Sequence, residues 1–183
     1  MSKSFSGLFH GTLGTTLKNG SSSPSYSDRG ISVPDNIKKN LSRLKKPGDI
    51  ISGSKDSFPM KDVSIMSKES GVEFAHVTIG NKAYLIRGDK NGAKLTPRIL
   101  AKIKKHGGSM DYHTHPYDND CVPSKADTDM LTLLKGITGQ TTSHIVTPNG
   151  RTILFGETGA VSAGTVSNVI DESLKKAFLE LWR

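Results

Sequence analysis

Only one of the 183 residues is a cysteine, Cys121, so no disulfide can form within the chain. No stretch approaches the roughly 18–20 consecutive apolar residues needed to span a bilayer. Near the start, Leu8, Phe9 and Leu13 are interrupted by Gly7, His10, Gly11 and Thr12, which leaves no signal-peptide core. These absences lead us to expect a soluble chain; export would need a specialised route or a larger precursor. Aromatic residues are also few, at 6%, and no aromatic-rich strand pattern is present to stack bases.

Acidic residues are in the minority: 25 Lys and Arg face 17 Asp and Glu, a formal charge of +8. A basic balance permits binding to nucleic acid or anionic surfaces. The bases gather at Lys38 and Lys39, at Arg43, Lys45 and Lys46, and at Lys102, Lys104 and Lys105, on segments with helical periodicity. A solvated helix face explains such runs, so nucleic-acid binding is not the favoured reading.

What is present is a histidine motif. His113, Thr114, His115 and Pro116 are followed after seven residues by Ser124, Lys125, Ala126 and Asp127. Histidines at i and i+2 on an extended segment point to one face. A carboxylate arriving at the next helix start can close a three-ligand site, and catalytic zinc takes three protein ligands and keeps a fourth position for water. Other readings exist: Ser124 with Asp127 is also a helix-capping pattern, and the His-Thr-His-Pro strand end could be ordinary surface. Cys121 lies inside the motif. With the ligand set complete and no thiol-protease partner pattern, neither a ligand nor a nucleophile role is favoured for it.

The order H-x-H-P, seven residues, S-x-x-D resembles the JAMM (JAB/MPN) metalloprotease motif and matches it at every fixed position. That family also uses an upstream glutamate, for which Glu69, Glu73, Asp62 and Asp89 are the acidic candidates. Gly71, Val72, Glu73, Phe74 and Ala75 are similar to the G-x-E-F-A stretch that opens JAB domains of bacterial secreted toxins. The similarity selects Glu73, with Glu69 in reserve; the plain alternative for Glu73 is a solvated acid at a strand edge. The resemblance implies a zinc ion held by His113, His115 and Asp127, with Glu73 as general acid and base and Ser124 as oxyanion donor. It further implies hydrolysis of peptide or isopeptide bonds, commonly near the C-terminus of ubiquitin-like proteins. A bacterial toxin effector module acting on a protein or peptide, with a cognate immunity protein as a candidate partner, is the setting it suggests.

Along the chain, residues 1–35 are rich in Gly, Ser and Thr and read as a flexible leader containing His10 as a loop histidine. Residues 36–183 read as one domain, with the motif core at about 60–155. A basic helix is expected from Asn36 to about Lys46, with Ile37, Leu41 and Leu44 on one stripe. Residues 50–57 look irregular, and Met60 to Ser70 helical. Residues 73–79 and 82–87 read as paired strands about Gly80 and Asn81. A helix should start at Pro97 and stop before Gly107, followed by a metal-bearing strand, 109–115, and a helix from Ser124 to Lys135. Residues 143–147 and 151–155 form a second strand pair, and 167–182 an amphipathic helix. Helices flanking a mixed sheet make the class α+β, with an α/β-like arrangement, which JAB domains share. Of the other histidines, His76 lies near Glu73 in sequence and is a candidate supporting residue, His106 sits at a helix C-terminus, and His144 packs in a strand. Two rival functions stand beside the protease: an inactive JAB-fold binding module, and a basic nucleic-acid-associated protein with a structural metal.

Overall fold

The computed structural model describes residue 30 and residues 32–165; the leader, His10 and the expected helix over 167–182 lie outside the described residues. Seven strands make one mixed sheet in the order β1-β3-β2-β4-β5-β6-β7, with four helices among the described residues. The α+β class with a mixed, helix-flanked sheet is therefore present. The strands are β1 (Ile50–Ser54), β2 (Phe74–Ile79), β3 (Lys82–Arg87), β4 (Ser109–Thr114), β5 (Thr142–Val146), β6 (Arg151–Gly156) and β7 (Gly159–Thr165). The helices are α1 (Asp35–Arg43), α2 (Met60–Ser70), α3 (Pro97–His106) and α4 (Lys125–Thr138). All neighbouring strands run antiparallel except β4 and β5, which are parallel and joined through α4.

Alternation along the strands divides the core in two. Leu85 joins Ile37, Leu44, Val63, Met66, Phe74 and Tyr112 beneath α1 and α2, whereas the adjacent Ile86 joins the cluster beneath α3 and α4. That second cluster holds Ala75 and Val77 from β2, Ile99 and Ile103 from α3, and Leu131 and Leu134 from α4. The sheet is thus the middle of three layers.

Three expectations need correction. The stretch expected to be irregular contains β1, an edge strand paired with β3 from Ile50↔Ile86 to Ser54↔Lys82. Strand β7 was not anticipated, because Gly159, Ala160, Ser162, Ala163 and Gly164 carry little of the β-branched bulk that marks strands. The first helix begins at Asp35, behind Pro34, and ends at Arg43, short of Lys46. Helix α3 matches its boundaries, with Pro97 at its start and the Thr96 hydroxyl accepting from the Ile99 amide.

Strand β4 contains a break in alternation. Its register with β2 runs Ala75↔His113 and His76↔Tyr112, then shifts to Val77↔Met110 and Thr78↔Ser109, leaving Asp111 as an extra, bulged residue. Met110 therefore faces the α3 and α4 layer with His113, although the two are three residues apart.

Candidate metal centre

Antiparallel pairing places the upstream glutamate. With Ala75 opposite His113, Glu73 falls opposite His115. Glu73 sits one residue before the formal start of β2, yet its backbone continues the ladder: its amide donates to the Asp89 carbonyl at 2.9 Å and its carbonyl accepts from Gly88 at 2.8 Å. On the other side, the His115 amide donates to the Val146 carbonyl at 3.0 Å, so it too is held in the sheet before Pro116 ends the pattern. Glu73, His113 and His115 are only 5%, 2% and 3% exposed.

The fourth group comes from α4. Ser124 and Asp127 form a reciprocal capping box. Asp127 Oδ2 accepts from the Ser124 amide and from the Ser124 hydroxyl, both at 2.7 Å. Its other oxygen, Oδ1, is left facing His113 Nε2 at 3.1 Å. The cap uses Oδ2 and leaves Oδ1 on the side of the histidines, although the three groups that share one potential metal position are Glu73, His113 and His115.

These side chains converge on a single point. His113 Nε2 and His115 Nε2 are 3.1 Å apart, and His115 Nε2 is 3.7 Å from Asp127 Oδ2. Neighbouring ligands in a tetrahedral zinc site with bonds of ~2.0–2.1 Å lie about 3.3–3.4 Å apart, close to the 3.1 Å that separates His113 Nε2 from His115 Nε2 and from Asp127 Oδ1. Glu73, His113 and His115 each offer a ligand atom, and these atoms all lie within 4.8 Å of one another, so the three could hold a metal ion. Glu73 Oε2 is buried with no hydrogen-bond partner. An orphaned buried oxygen beside two facing imidazole nitrogens is costly unless something else occupies the gap. The nitrogen and oxygen donors present fit zinc.

No known protein family, curated protein or solved structure matches this chain.

Electrostatics agree with a coupled cluster. Burial pushes the Glu73 carboxyl up to about 7, with His115 opposing the shift and Asp127 adding to it. Burial also opposes charge on His115, but hydrogen bonds to Asp120 and Asp127 and the nearby Glu73 outweigh it and raise His115 to about 10. Burial holds His113 below the ordinary histidine value despite its contact with Asp127. For Asp127, burial is overcome by His113, His115 and Ser124, which hold the carboxyl well below the usual range.

One supporting residue escaped the sequence reading. His115 Nδ1 lies 2.9 Å from the Asp120 carbonyl and 3.5 Å from Asp120 Oδ1, which fixes the tautomer that turns Nε2 toward the cluster. A backbone acceptor leaves no residue-type signal; only the acid-rich loop hinted at it. His113 Nδ1 has no such partner and its ring stands edge-on to Phe155 at 5.6 Å.

The remaining candidates fall elsewhere. His76 is on the opposite face of the sheet, stacked on Tyr112 at 4.7 Å and 3.0 Å from Asp111 Oδ2, so it does not touch Glu73's carboxylate. Its nearness in sequence misled because adjacent strand residues face opposite ways. Glu69 sits in α2, outside the converging group. Cys121 packs half-buried against the core, its thiol 3.7 Å from the Asp118 carbonyl. His106 ends α3, and His144 lies half-buried on β5. No helix among the described residues is long and apolar enough to cross a membrane.

Proposed function

We propose that this chain is a zinc-dependent peptidase or isopeptidase of the JAMM type, hydrolysing an amide bond of a protein or peptide substrate. The observation that carries the reading is that Glu73, His113 and His115 bring ligand atoms together in a buried cluster, with Asp127 Oδ1 3.1 Å from His113 Nε2, in a sequence whose spacing resembles that motif. His113 Nε2, His115 Nε2 and Asp127 Oδ1 would hold the ion. When bound, zinc lowers the pKa of a coordinated water from ~15.7 toward about 7 and polarises a carbonyl.

Glu73 takes a proton from the attacking water and returns it to the departing amine nitrogen. Burial raises its carboxyl above the ordinary glutamate value, the direction that suits a group that must both accept and release a proton. Asp120 keeps His115 in the ligating tautomer. Ser124 is the oxyanion donor of the reading; its single hydroxyl proton is directed at Asp127 Oδ2, so that proton must swing to the substrate carbonyl as charge develops. The similarity of residues 71–75 to the opening stretch of toxin-type JAB domains supports reading the chain as a bacterial effector module, with a cognate immunity protein as its candidate partner.

A second reading is favoured by one observation. The Glu73 ligand atom lies within 4.8 Å of both imidazole ligand atoms, so Glu73 could itself bind the ion, close the coordination shell and make the site structural. Glu73→Gln separates the two. The enzyme reading expects about one zinc per chain in wild type and in Glu73→Gln, with hydrolysis of a panel of peptides and ubiquitin-like C-terminal amides falling by about 10²–10⁴. Zinc lost from Glu73→Gln would establish the structural reading, and zinc binding undiminished in His113→Ala would end both.

A further inference from the structure

We propose that Gln140, at the far end of the strand from the cluster, is a positioning residue for the metal centre; the inference rests on the zinc reading above. The bulge at Asp111 creates the need. The ladder between β4 and β5 begins only at Tyr112↔His144, so Met110 has no ladder partner on that side. Gln140 supplies one with its side chain. Its Oε1 accepts from the Met110 amide at 2.9 Å, and its Nε2 donates to the Met110 carbonyl at 2.7 Å. The same Nε2 donates to the Thr142 carbonyl at 2.8 Å, and the buried Ser143 hydroxyl adds a second donor to the Met110 carbonyl at 2.7 Å. The carboxamide thus takes the place of a peptide unit in the missing strand position.

Its location makes the clamp matter to the ligands. Gln140 directly follows Gly139, whose positive φ of 78° closes α4, and the first turn of α4 carries Asp127. Met110 lies three residues before His113, about 10 Å along the strand. Gln140 therefore ties together the far ends of the two elements that meet again at His113 and Asp127. A bulge bends and twists its strand, and its unpaired amide and carbonyl must be satisfied for that bend to hold one value. Gln140 fixes that value, and with it the aim of His113.

The test uses the full chain and zinc alone, with affinity read by chelator competition. Gln140→Met keeps length and removes both bonds to Met110. Gln140→Glu keeps an acceptor for the Met110 amide but sets an oxygen against the Met110 and Thr142 carbonyls. Each should weaken zinc binding measurably, by up to about the 10-fold at the lower end for groups bonded directly to a metal ligand, because Gln140 acts through the strand rather than on a ligand, while circular dichroism stays native. Ile37→Ala, in the core beneath α1, should lower stability and leave zinc affinity of the folded protein at the wild-type value. Gln140 variants that lose stability but bind zinc like wild type would overturn the proposal. In metal-free protein, the imidazole nitrogen resonances of His113 and His115 should shift in Gln140→Met; unmoved resonances would overturn it too. Wild type that binds no zinc refutes the zinc reading alone, and the imidazole resonances then decide the positioning role. If neither Gln140 variant folds, Ser143→Ala decides by the same two readouts, with a smaller loss of affinity expected and no loss counting against the proposal.

Discussion

Asp127 meets two obligations with two different oxygens: Oδ2 satisfies the start of α4 through Ser124, and Oδ1 faces His113. The substitution Asp127→Asn tests whether they are separable. Asparagine still offers an oxygen to the Ser124 amide, so the cap, worth about 1 kcal/mol, should survive, and any larger loss of stability reports the lost contacts of the carboxylate with His113 and His115. Zinc affinity should fall by more than the roughly 100-fold at the upper end for outer partners. Thermal melts and zinc titration check the two halves, and full zinc affinity with a weakened helix would reduce Asp127 to a cap. At this scale the sequence was most informative: fixed spacing singled out His113, His115, Ser124 and Asp127, and the histidines and Ser124 all contact Asp127. Asp120 and Gln140 were not legible, because each contact has a backbone partner that any residue type could supply: the Asp120 carbonyl beside His115, and the Met110 amide and carbonyl beside Gln140.

Between α1 and β1 the chain turns on a carboxylate. Asp49 accepts from the amides of Lys46 and Lys45 at 2.9 and 2.8 Å, while its own carbonyl accepts from Arg87 at 2.9 Å. Those amide bonds come first among the causes that hold its pKa below the ordinary 3.8. Because the folded pKa is the lower one, the carboxylate stabilises the fold above pH 3.8, and the effect disappears as pH falls through the folded value. Asp49→Asn keeps the acceptor and removes the charge. Urea midpoints should show it less stable than wild type at pH 7, with the gap closing below pH 3.8; a gap independent of pH would mean the charge is irrelevant. Element types with strong periodicity, α3 above all, were readable from the chain. Strands β1 and β7 were not, since Gly53 and the small residues of β7 give no alternation. The bulge in β4 was equally hidden, because its cause lies in pairing with β2 and β5 rather than in local composition.

For the molecule as a whole, a metal that binds the folded state and not the unfolded chain adds to its stability. Zinc at 100 times its dissociation constant should raise the unfolding free energy of wild type by about 2.7 kcal/mol. His113→Ala should show no such gain in calorimetry, and equal gains would locate the ion elsewhere. The layered class was predictable from helices interleaved with strands. The strand order was not, because it depends on partners distant in sequence, such as β1 with β3 across the whole of α2 and β2.

The register Ala75↔His113 also divides the site by distance along the chain. His113, His115 and Asp127 fall within fifteen consecutive residues, whereas Glu73 is forty residues before the first of them. A molecule with the 113–127 segment formed but β2 mispaired would keep the proposed metal ligands and lack the base. A slip of one residue would set Phe74 or Val72 where Glu73 belongs, since each step along a strand exchanges its faces. Zinc content then reports only on the local segment, while turnover reports on correct long-range pairing. In a refolding experiment the two signals should return at different times, metal first, and hydrolysis only after β2 has found its place beside β4.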